Sequence, residues 1–358
     1  MERNIIFSGG GSGGHVLPAI TLIDELLKNP QNKIYYIGGE KGIEREIIGR
    51  KQIPYKAIKT GKLRRYFSLE NFLDIFKILW GMAQSFFYLL KFKSQNTIVF
   101  STGGFVSVPV VVAAFLTRKK VFIHEQTSRV GLANKLASFF ADKIFISFKQ
   151  SASYFPPDKT HYSGYPLRDE CFSQTKSSVE IDGVSLESVQ RPILFVTGGG
   201  NGSLLINECV EKYLNELKKD YFIIHQVGKN FVEKFNQFKD ENYHPMGFID
   251  QNMIDMYKYA SIVISRAGAG TVCELMALRK RSIFIPLKIA QKNEQYFNAL
   301  EAQKEFGSFV VKEDELKAKD LTELIDEFSK QEKTQENQYQ FNNGKDVLIK
   351  EILEVGKG

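Results

Sequence analysis

NIIFSGGGSGGHVLP, residues Asn4–Pro18, is the stretch that decides the fold. Ile5, Ile6 and Phe7 form a short apolar run, as in a strand buried on both faces. Ser8–Gly14 is then almost all glycine. Beyond it Leu17, Ile20, Leu22, Ile23, Leu26 and Leu27 recur at helical spacing up to Asn29–Pro30, which ends the helix. Strand, glycine turn and helix together aim bare backbone N–H groups and the positive end of a helix dipole at one place, where an anion is favoured. His15 stands at the start of that helix. Gly9, Gly11 and Gly14 satisfy the dinucleotide pattern G-x-G-x-x-G, and Glu40 follows a second strand, Ile34–Ile37, where a ribose-binding acid would sit. No Gly-Lys-Ser/Thr follows, so the turn is not a P-loop. A tight turn without a ligand is the competing reading.

The same design recurs. TIVFSTGGFVSVPVVVAAFL at Thr97–Leu116 turns at Gly103–Gly104. PILFVTGGGNGSLLINECVEKYL at Pro192–Leu214 repeats the first unit: an apolar run, three glycines, a small polar residue, then Gly. IVISRAGAGTVCELMAL at Ile262–Leu278 is the fourth. Alternating strands and helices predict parallel sheets with right-handed crossovers. Two such units in each half predict an α/β protein of two Rossmann-like domains, with ligands beyond the carboxyl ends of the strands.

A chain of 358 residues with 43% hydrophobic content has room for two cores and is not disordered. Its net charge of +7 favours acidic partners: phosphates, anionic lipid or nucleic acid. Cys171, Cys209 and Cys273 show no ligand spacing and read as packed, reduced thiols. The start of the chain lacks the basic and long apolar regions of a secretory signal, so secretion is not expected. The break between halves is expected near Ser163–Arg191, where Ser173–Gln190 is polar and serine-rich. The expected domains are 1–163, 164–340 and a last segment, 341–358, whose helix could pack back on the first half.

Gly61–Lys93 is unusual for a Rossmann crossover. Lys62, Arg64, Arg65, Lys77, Lys91 and Lys93 oppose only Glu70 and Asp74. Phe72–Leu90 reads as a helix with one narrow polar stripe, Asp74, Lys77, Gly81, Gln84 and Tyr88. The apolar arc is wider than one core contact requires. Its charges argue against a membrane span and for a helix lying on an anionic membrane surface. Leu63, Arg64, Arg65, Ile75, Leu79 and Trp80 are the expected membrane contacts. A deeply buried helix or a protein–protein face are the alternatives.

Seven motifs, in order and in both halves, then carry a resemblance: GGGSGGHVLPA at Gly9–Ala19, GGFVSVP at Gly103–Pro109, HEQ…GLANK at His124–Lys135, GYPLR at Gly164–Arg168, GGGNGS at Gly198–Ser203, SRAGAGTVCE at Ser265–Glu274 and EQYFNAL at Glu294–Leu300. Together they resemble the MurG family, UDP-N-acetylglucosamine transferases of bacterial peptidoglycan synthesis. The resemblance implies a GT-B fold, two Rossmann-like domains facing across a cleft. It implies inverting transfer of N-acetylglucosamine (GlcNAc) from UDP-GlcNAc to the 4-hydroxyl of muramic acid in lipid I, giving lipid II. The setting is the cytoplasmic face of the membrane. No cofactor or essential metal ion is expected, in line with a sequence that lacks Asp-x-Asp. The expected partners are the donor, lipid I, an anionic membrane surface and other cell-wall synthesis proteins, but no nucleic acid.

Such transfer needs a base, a grip on the leaving diphosphate and positioning of both substrates. Backbone amides of Gly199, Gly200, Asn201, Ala269, Gly270 and Thr271 suit the diphosphate, with Ser12, Gly13 and Gly14 serving from the other half. Arg168 and Arg266 are the cations expected there. The resemblance places a ribose-binding carboxylate at Glu274, a backbone contact to uracil at Ile249 and sugar contacts at Glu294 and Gln295. His15 is the first choice for the base or for a phosphate contact and Glu125 is the competing base, both left open by the sequence. Three positions depart from the family pattern. Ser12 replaces Thr and keeps a hydroxyl, Gly200 replaces a frequent Ser, and Thr127 replaces a frequent Asn, which puts that acceptor or sugar contact in doubt. Two rival readings stand beside this one: an NAD-dependent oxidoreductase, from G-x-G-x-x-G and Glu40, and a non-catalytic membrane-surface binder, from the basic apolar helix.

Overall fold

The protein is described by a computed structural model covering residues 2–61, 69–249, 252–331 and 341–355. Leu63, Arg64 and Arg65 lie outside the described residues. The chain divides into two compact units. One comprises the residues through Leu167 together with those from Asn342 onward, and the other is Arg168–Phe341.

The first unit runs β1 (Arg3–Gly9), α1 (Gly13–Leu27), β2 (Asn32–Gly39), α2 (Ile43–Gly49), β3 (Tyr55–Ile58), α3 (Leu69–Leu89), β4 (Thr97–Gly103), α4 (Ser107–Leu116), β5 (Lys120–Glu125), α5 (Leu132–Ala137), β6 (Lys143–Ile146) and β7 (Thr160–Tyr162). Its seven strands are parallel in the order β3-β2-β1-β4-β5-β6-β7. Residues of the central strands such as Ile5, Ile6, Phe7, Val99 and Phe100 have no exposure, because helices cover both faces. The last helix, Gly344–Glu354, completes this core: Leu348 and Ile352 pack with Leu22, Ile23 and Leu26 of α1. Lys345 pairs with Glu25 at 3.2 Å, and Lys143 with Glu351.

Chain crossings between the units fall at Leu167/Arg168 and Phe341/Asn342. Ser163–Leu167 stays with the first unit because the returning chain clasps it. Asn342 Nδ2 donates to the Ser163 carbonyl, Gly344 N to the Tyr165 carbonyl, and Leu167 N to Asn343 Oδ1.

In the second unit the serine-rich segment holds a small antiparallel hairpin, β8 (Glu180–Ile181) with β9 (Val184–Ser185). Then come β10 (Ile193–Thr197), α6 (Leu204–Lys212), α7 (Leu214–Asp220), β11 (Phe222–Gln226), α8 (Val232–Asn236), β12 (Tyr243–Met246), α9 (Met253–Tyr259), β13 (Ile262–Ser265), α10 (Ala269–Ala277), β14 (Ile283–Phe284), α11 (Glu294–Phe306), β15 (Phe309–Val310), α12 (Glu313–Ala318) and α13 (Leu321–Lys330). Its sheet is parallel, in the order β12-β11-β10-β13-β14-β15. Residues 173–190 are no free linker: Ser177 N donates to Asp255 Oδ1 and Lys258 Nζ to the Thr175 carbonyl, tying the segment to α9.

In both sheets the strand order reverses beside the first strand, between β1 and β4 and between β10 and β13. Ligand-binding crevices open at such points in parallel sheets, beyond the carboxyl ends of the strands. All four glycine turns foreseen in the sequence lie at those ends.

A buried polar network supports the third turn from below. His225 on β11 contacts Tyr243 Oη through Nδ1 at 2.9 Å and Asn207 Oδ1 through Nε2 at 3.1 Å. Asn207 Nδ2 in turn donates to the Val227 carbonyl. Burial holds the His225 imidazole neutral, with its pKa pushed down to about 3.

Candidate active site

In the second unit, β10 runs into the Gly198–Ser203 turn and then α6. The turn is knotted by backbone geometry: Gly202 N donates to the Gly199 carbonyl, and Gly199 N to Thr197 Oγ1. Gly202 holds φ +75°, and a Cβ there would lie 1.9 Å from the Val227 carbonyl oxygen, so no other residue fits. Gly200 and Asn201 are exposed at its tip. Ser203 caps α6 with its hydroxyl.

The neighbouring turn, between β13 and α10, ends in a helix with Gly268 at its cap, no side-chain cap and no acid in the first turn. Ala269, Gly270 and Thr271 therefore present N–H groups with no carboxylate of the helix against them. Glu274 lies one turn further along α10. Its carboxylate is 3.8 Å from Arg168, and its side chain keeps 20% of its exposure. Burial pushes its pKa up to about 7, against the pull of Arg168.

Arg266 is more engaged than its sequence position suggested. It reaches Glu313 of α12 at 2.7 Å, the Ile285 carbonyl at 3.1 Å and Ser203 Oγ at 2.7 Å. With 11% of its side chain exposed, it bolts the two glycine turns to each other. Gln295 Oε1 accepts from Ala267 N and Leu287 N, which turns its amide nitrogen toward open donor work. Ile249 is buried, and its N–H is taken by Gln226 Oε1 at 3.2 Å. Gln226 Nε2 also donates to the Gly199 carbonyl. Gln226 was not singled out in the sequence, although its place at the carboxyl end of β11 is the available signal. Phe248, half-exposed, stands over Gly200.

In the first unit, α1 begins at Ser12 with no side-chain cap and no acid in its first turn, leaving Gly13 and Gly14 N–H groups open. His15 Nδ1 lies 3.0 Å from the Thr102 carbonyl and 3.4 Å from Gln126 Oε1. Glu125 is buried, and both its oxygens accept hydrogen bonds. One oxygen accepts from Thr127 N at 3.0 Å and Thr127 Oγ1 at 2.8 Å, and the other from Asn134 Nδ2 at 3.0 Å. Gln126 also donates to the His124 carbonyl. Thr102, Gln126 and Asn134 were unmarked as site residues, and only tertiary structure brings them to His15 and Glu125.

Glu40, the acid of the dinucleotide reading, pairs with Lys59 at 2.8 Å. His124 is buried and neutral, its pKa pushed down to about 4 by desolvation. Burial also raises the thiols, Cys171 to about 12 and Cys209 to about 11, so neither is an activated nucleophile. Among the described residues no cluster of three or more His, Cys, Asp or Glu is placed to hold a metal ion.

On α3 the amphipathicity is inverted. Asp74, Gly81 and Ser85 are buried against the unit, Gln84 Oε1 accepts from Lys59 N, and a Cβ on Gly81 would lie 2.1 Å from the Lys59 carbonyl. Ile75, Phe76, Leu79, Trp80 and Phe87 face outward, Trp80 with 61% exposure. Among the described residues no helix is long and apolar enough to cross a membrane.

Residues 5–146 match the glycosyltransferase family 28 N-terminal domain, and residues 193–352 match the family's C-terminal domain. A Clostridium perfringens protein named UDP-N-acetylglucosamine–N-acetylmuramyl-(pentapeptide) pyrophosphoryl-undecaprenol N-acetylglucosamine transferase is 41% identical over 331 residues, covering 92% of this chain and 91% of its own. A Bacillus cereus protein of the same name, numbered 2, is 36% identical over 355 residues, covering 98% of both. The crystal structure of Acinetobacter baumannii MurG superposes with a TM-score of 0.72 at 21% identity, covering 98% of this chain and 99% of that one.

Proposed function

The chain belongs to glycosyltransferase family 28, with a GT-B fold of two parallel-sheet units, and on that premise we propose the following reaction. It is a UDP-GlcNAc-dependent glycosyltransferase that moves N-acetylglucosamine onto N-acetylmuramyl-(pentapeptide) pyrophosphoryl-undecaprenol. That acceptor is lipid I, and the product is lipid II of peptidoglycan synthesis. The observation that carries this is the 41% identity to the named transferase over 92% of the chain. The oxidoreductase and the non-catalytic binder gain no support from any of the similar proteins.

The donor belongs to the second unit. Its diphosphate is gripped by the amides of Gly199, Gly200 and Asn201 and by the first turn of α10, Ala269–Thr271, with Arg168 as counter-charge. Glu274 accepts from the ribose hydroxyls. Gln295 donates its amide to the sugar, with Glu294 beside it. Because the Ile249 N–H is already used, uracil is read by the Ile249 carbonyl. Arg266 works at one remove, holding the two phosphate turns in register.

The acceptor belongs to the first unit. Its diphosphate lies on Ser12, Gly13 and Gly14. His15 Nε2 takes the proton of the 4-hydroxyl as that oxygen bonds to the anomeric carbon from the face opposite UDP. The bond from that carbon to the diphosphate breaks, UDP carries away the electron pair, and the configuration inverts. Helix dipoles and amides supply the positive field that leaving UDP requires, so no divalent cation is needed. Glu125 serves as the anchor of the Thr127 loop rather than as the base, because it is buried and both its oxygens already accept hydrogen bonds.

The outward apolar arc of α3 lies on the anionic cytoplasmic face of the membrane that holds the lipid acceptor, with other cell-wall synthesis proteins as neighbours. Incubation with labelled UDP-GlcNAc and a lipid I analogue tests the whole reading. Label in a lipid II analogue is expected, undiminished by chelator. No transfer, or a melting temperature raised by NAD but not by UDP, overturns it.

A further inference from the structure

Glu44 has no part in the scheme above, yet its carboxylate sits inside the first glycine turn. It is the second residue of α2 and only 2% exposed. One oxygen accepts from Gly11 N at 3.1 Å and the other from Gly39 N at 3.2 Å. The cradle is built for it: a Cβ on Gly10 would lie 2.5 Å from the carboxyl carbon, and one on Gly42 2.4 Å from a carboxylate oxygen. Two tyrosines brace the same place, Tyr36 Oη donating to the Gly9 carbonyl and Tyr55 Oη to the Gly39 carbonyl, both at 2.7 Å.

Burying a carboxylate is costly unless hydrogen bonds compensate. An ionised one held by amides at the head of a helix is the arrangement a phosphate adopts in a glycine turn. Here the chain supplies its own anion from 33 residues away.

We infer that Glu44 is a positioning residue of this transferase, a fixed internal anion that takes the first amide of the glycine turn and so sets the Ser12–His15 segment. Two consequences follow. The Gly11 amide is closed to a substrate phosphate, which confines the acceptor diphosphate to Ser12–Gly14. The same charge repels a nucleotide pyrophosphate from the G-x-G-x-x-G turn, so a pattern that reads as dinucleotide-binding does not bind one. The inference rests on the transferase reading.

Glu44→Gln tests it. The substitution keeps the shape but turns an NH₂ toward one of the two amides, donor against donor, so that one bond is lost. In the full chain, kcat/KM for the acceptor is expected to fall by about tenfold to a hundredfold through misplacement of His15. KM for UDP-GlcNAc and affinity for UDP should stay within about twofold, since both belong to the second unit. Hydrogen exchange of the peptide around Gly11 should quicken in Glu44→Gln and in Glu44→Ala. A purely structural role would instead lower the melting temperature and spare the split between acceptor and donor constants. Acceptor kinetics and exchange both like wild type in Glu44→Gln would overturn the role of Glu44 alone. A wild-type protein that transfers nothing would overturn the transferase reading, and this inference with it.

Discussion

His15 and Thr102 stand 87 residues apart in the chain and meet at 3.0 Å, imidazole Nδ1 against carbonyl oxygen. A carbonyl only accepts, so in the neutral ring Nδ1 carries the proton and Nε2 the lone pair. The backbone of β4 thus selects the tautomer that a base requires. His15→Ala is expected to lower kcat by about 10²–10⁴-fold with UDP affinity unchanged. Turnover like wild type in a folded variant would remove His15 from the chemistry.

Glu274 offers a pH-dependent test. Its folded pKa is raised to about 7 by burial, so the empty site holds it largely protonated below that value. The charged form is the stronger acceptor for ribose hydroxyls. UDP-GlcNAc should therefore bind more tightly as pH rises from 6 to 8. Glu274→Gln should lose this slope and bind about tenfold to a hundredfold more weakly at pH 8. Calorimetric titration at both pH values checks it, and parallel slopes in the two proteins would refute the ribose assignment.

Acid should open the first unit before the second. His124 and His225 have folded pKa values of about 4 and about 3, below the ordinary value of 6.5. The folded state binds fewer protons than the unfolded one, so their contribution is complete above pH ~6.5 and is lost as pH falls, about 2 kcal/mol each at pH 5. Glu274 works the other way: its pKa is raised, so its penalty is felt above about pH 7 and is relieved as pH falls toward 4.5. It offsets His225 within the second unit, while among the described residues of the first no carboxylate raised in this way offsets His124. Hydrogen exchange at pH 7.5 and pH 5, corrected for intrinsic rates, should show protection lost chiefly from β4–β6. Equal losses in both units would contradict this balance.

The outward face of α3 predicts a binding defect. Leu79→Glu combined with Trp80→Glu should weaken co-sedimentation with anionic liposomes by about tenfold or more, since both side chains are half-exposed or beyond and apolar. UDP affinity should not move. Unchanged sedimentation would take the membrane away from this helix.

Much of the fold was legible because its signals are local. Each glycine turn sits between a strand-like run and a helical period, and each was found where the sequence put it. The site was legible only in part. Gln226, Gln126 and Glu44 act on backbone amides or carbonyls that sequence spacing cannot locate, and a lone Gln or Glu carries no pattern of its own. Arg266 looked like a phosphate ligand because it stands in a glycine turn. Its engagement with Glu313 depends on α12, 47 residues further on, and that with Ser203 on the cap of α6, 63 residues earlier. On α3 the stripe and the arc were legible in the sequence but their directions were not: Asp74 and Gly81 proved to face inward, Gly81 against the Lys59 carbonyl, where a larger side chain would not fit.

The helix Gly344–Glu354 carries a consequence for the order of events during synthesis. Leu348 and Ile352 are synthesised after the whole of Arg168–Phe341, yet they seal the core built on Leu22, Ile23 and Leu26. The Arg168–Phe341 unit has all its strands by then and can fold on the nascent chain, while the unit begun first must wait for Gly344–Glu354 before it can close.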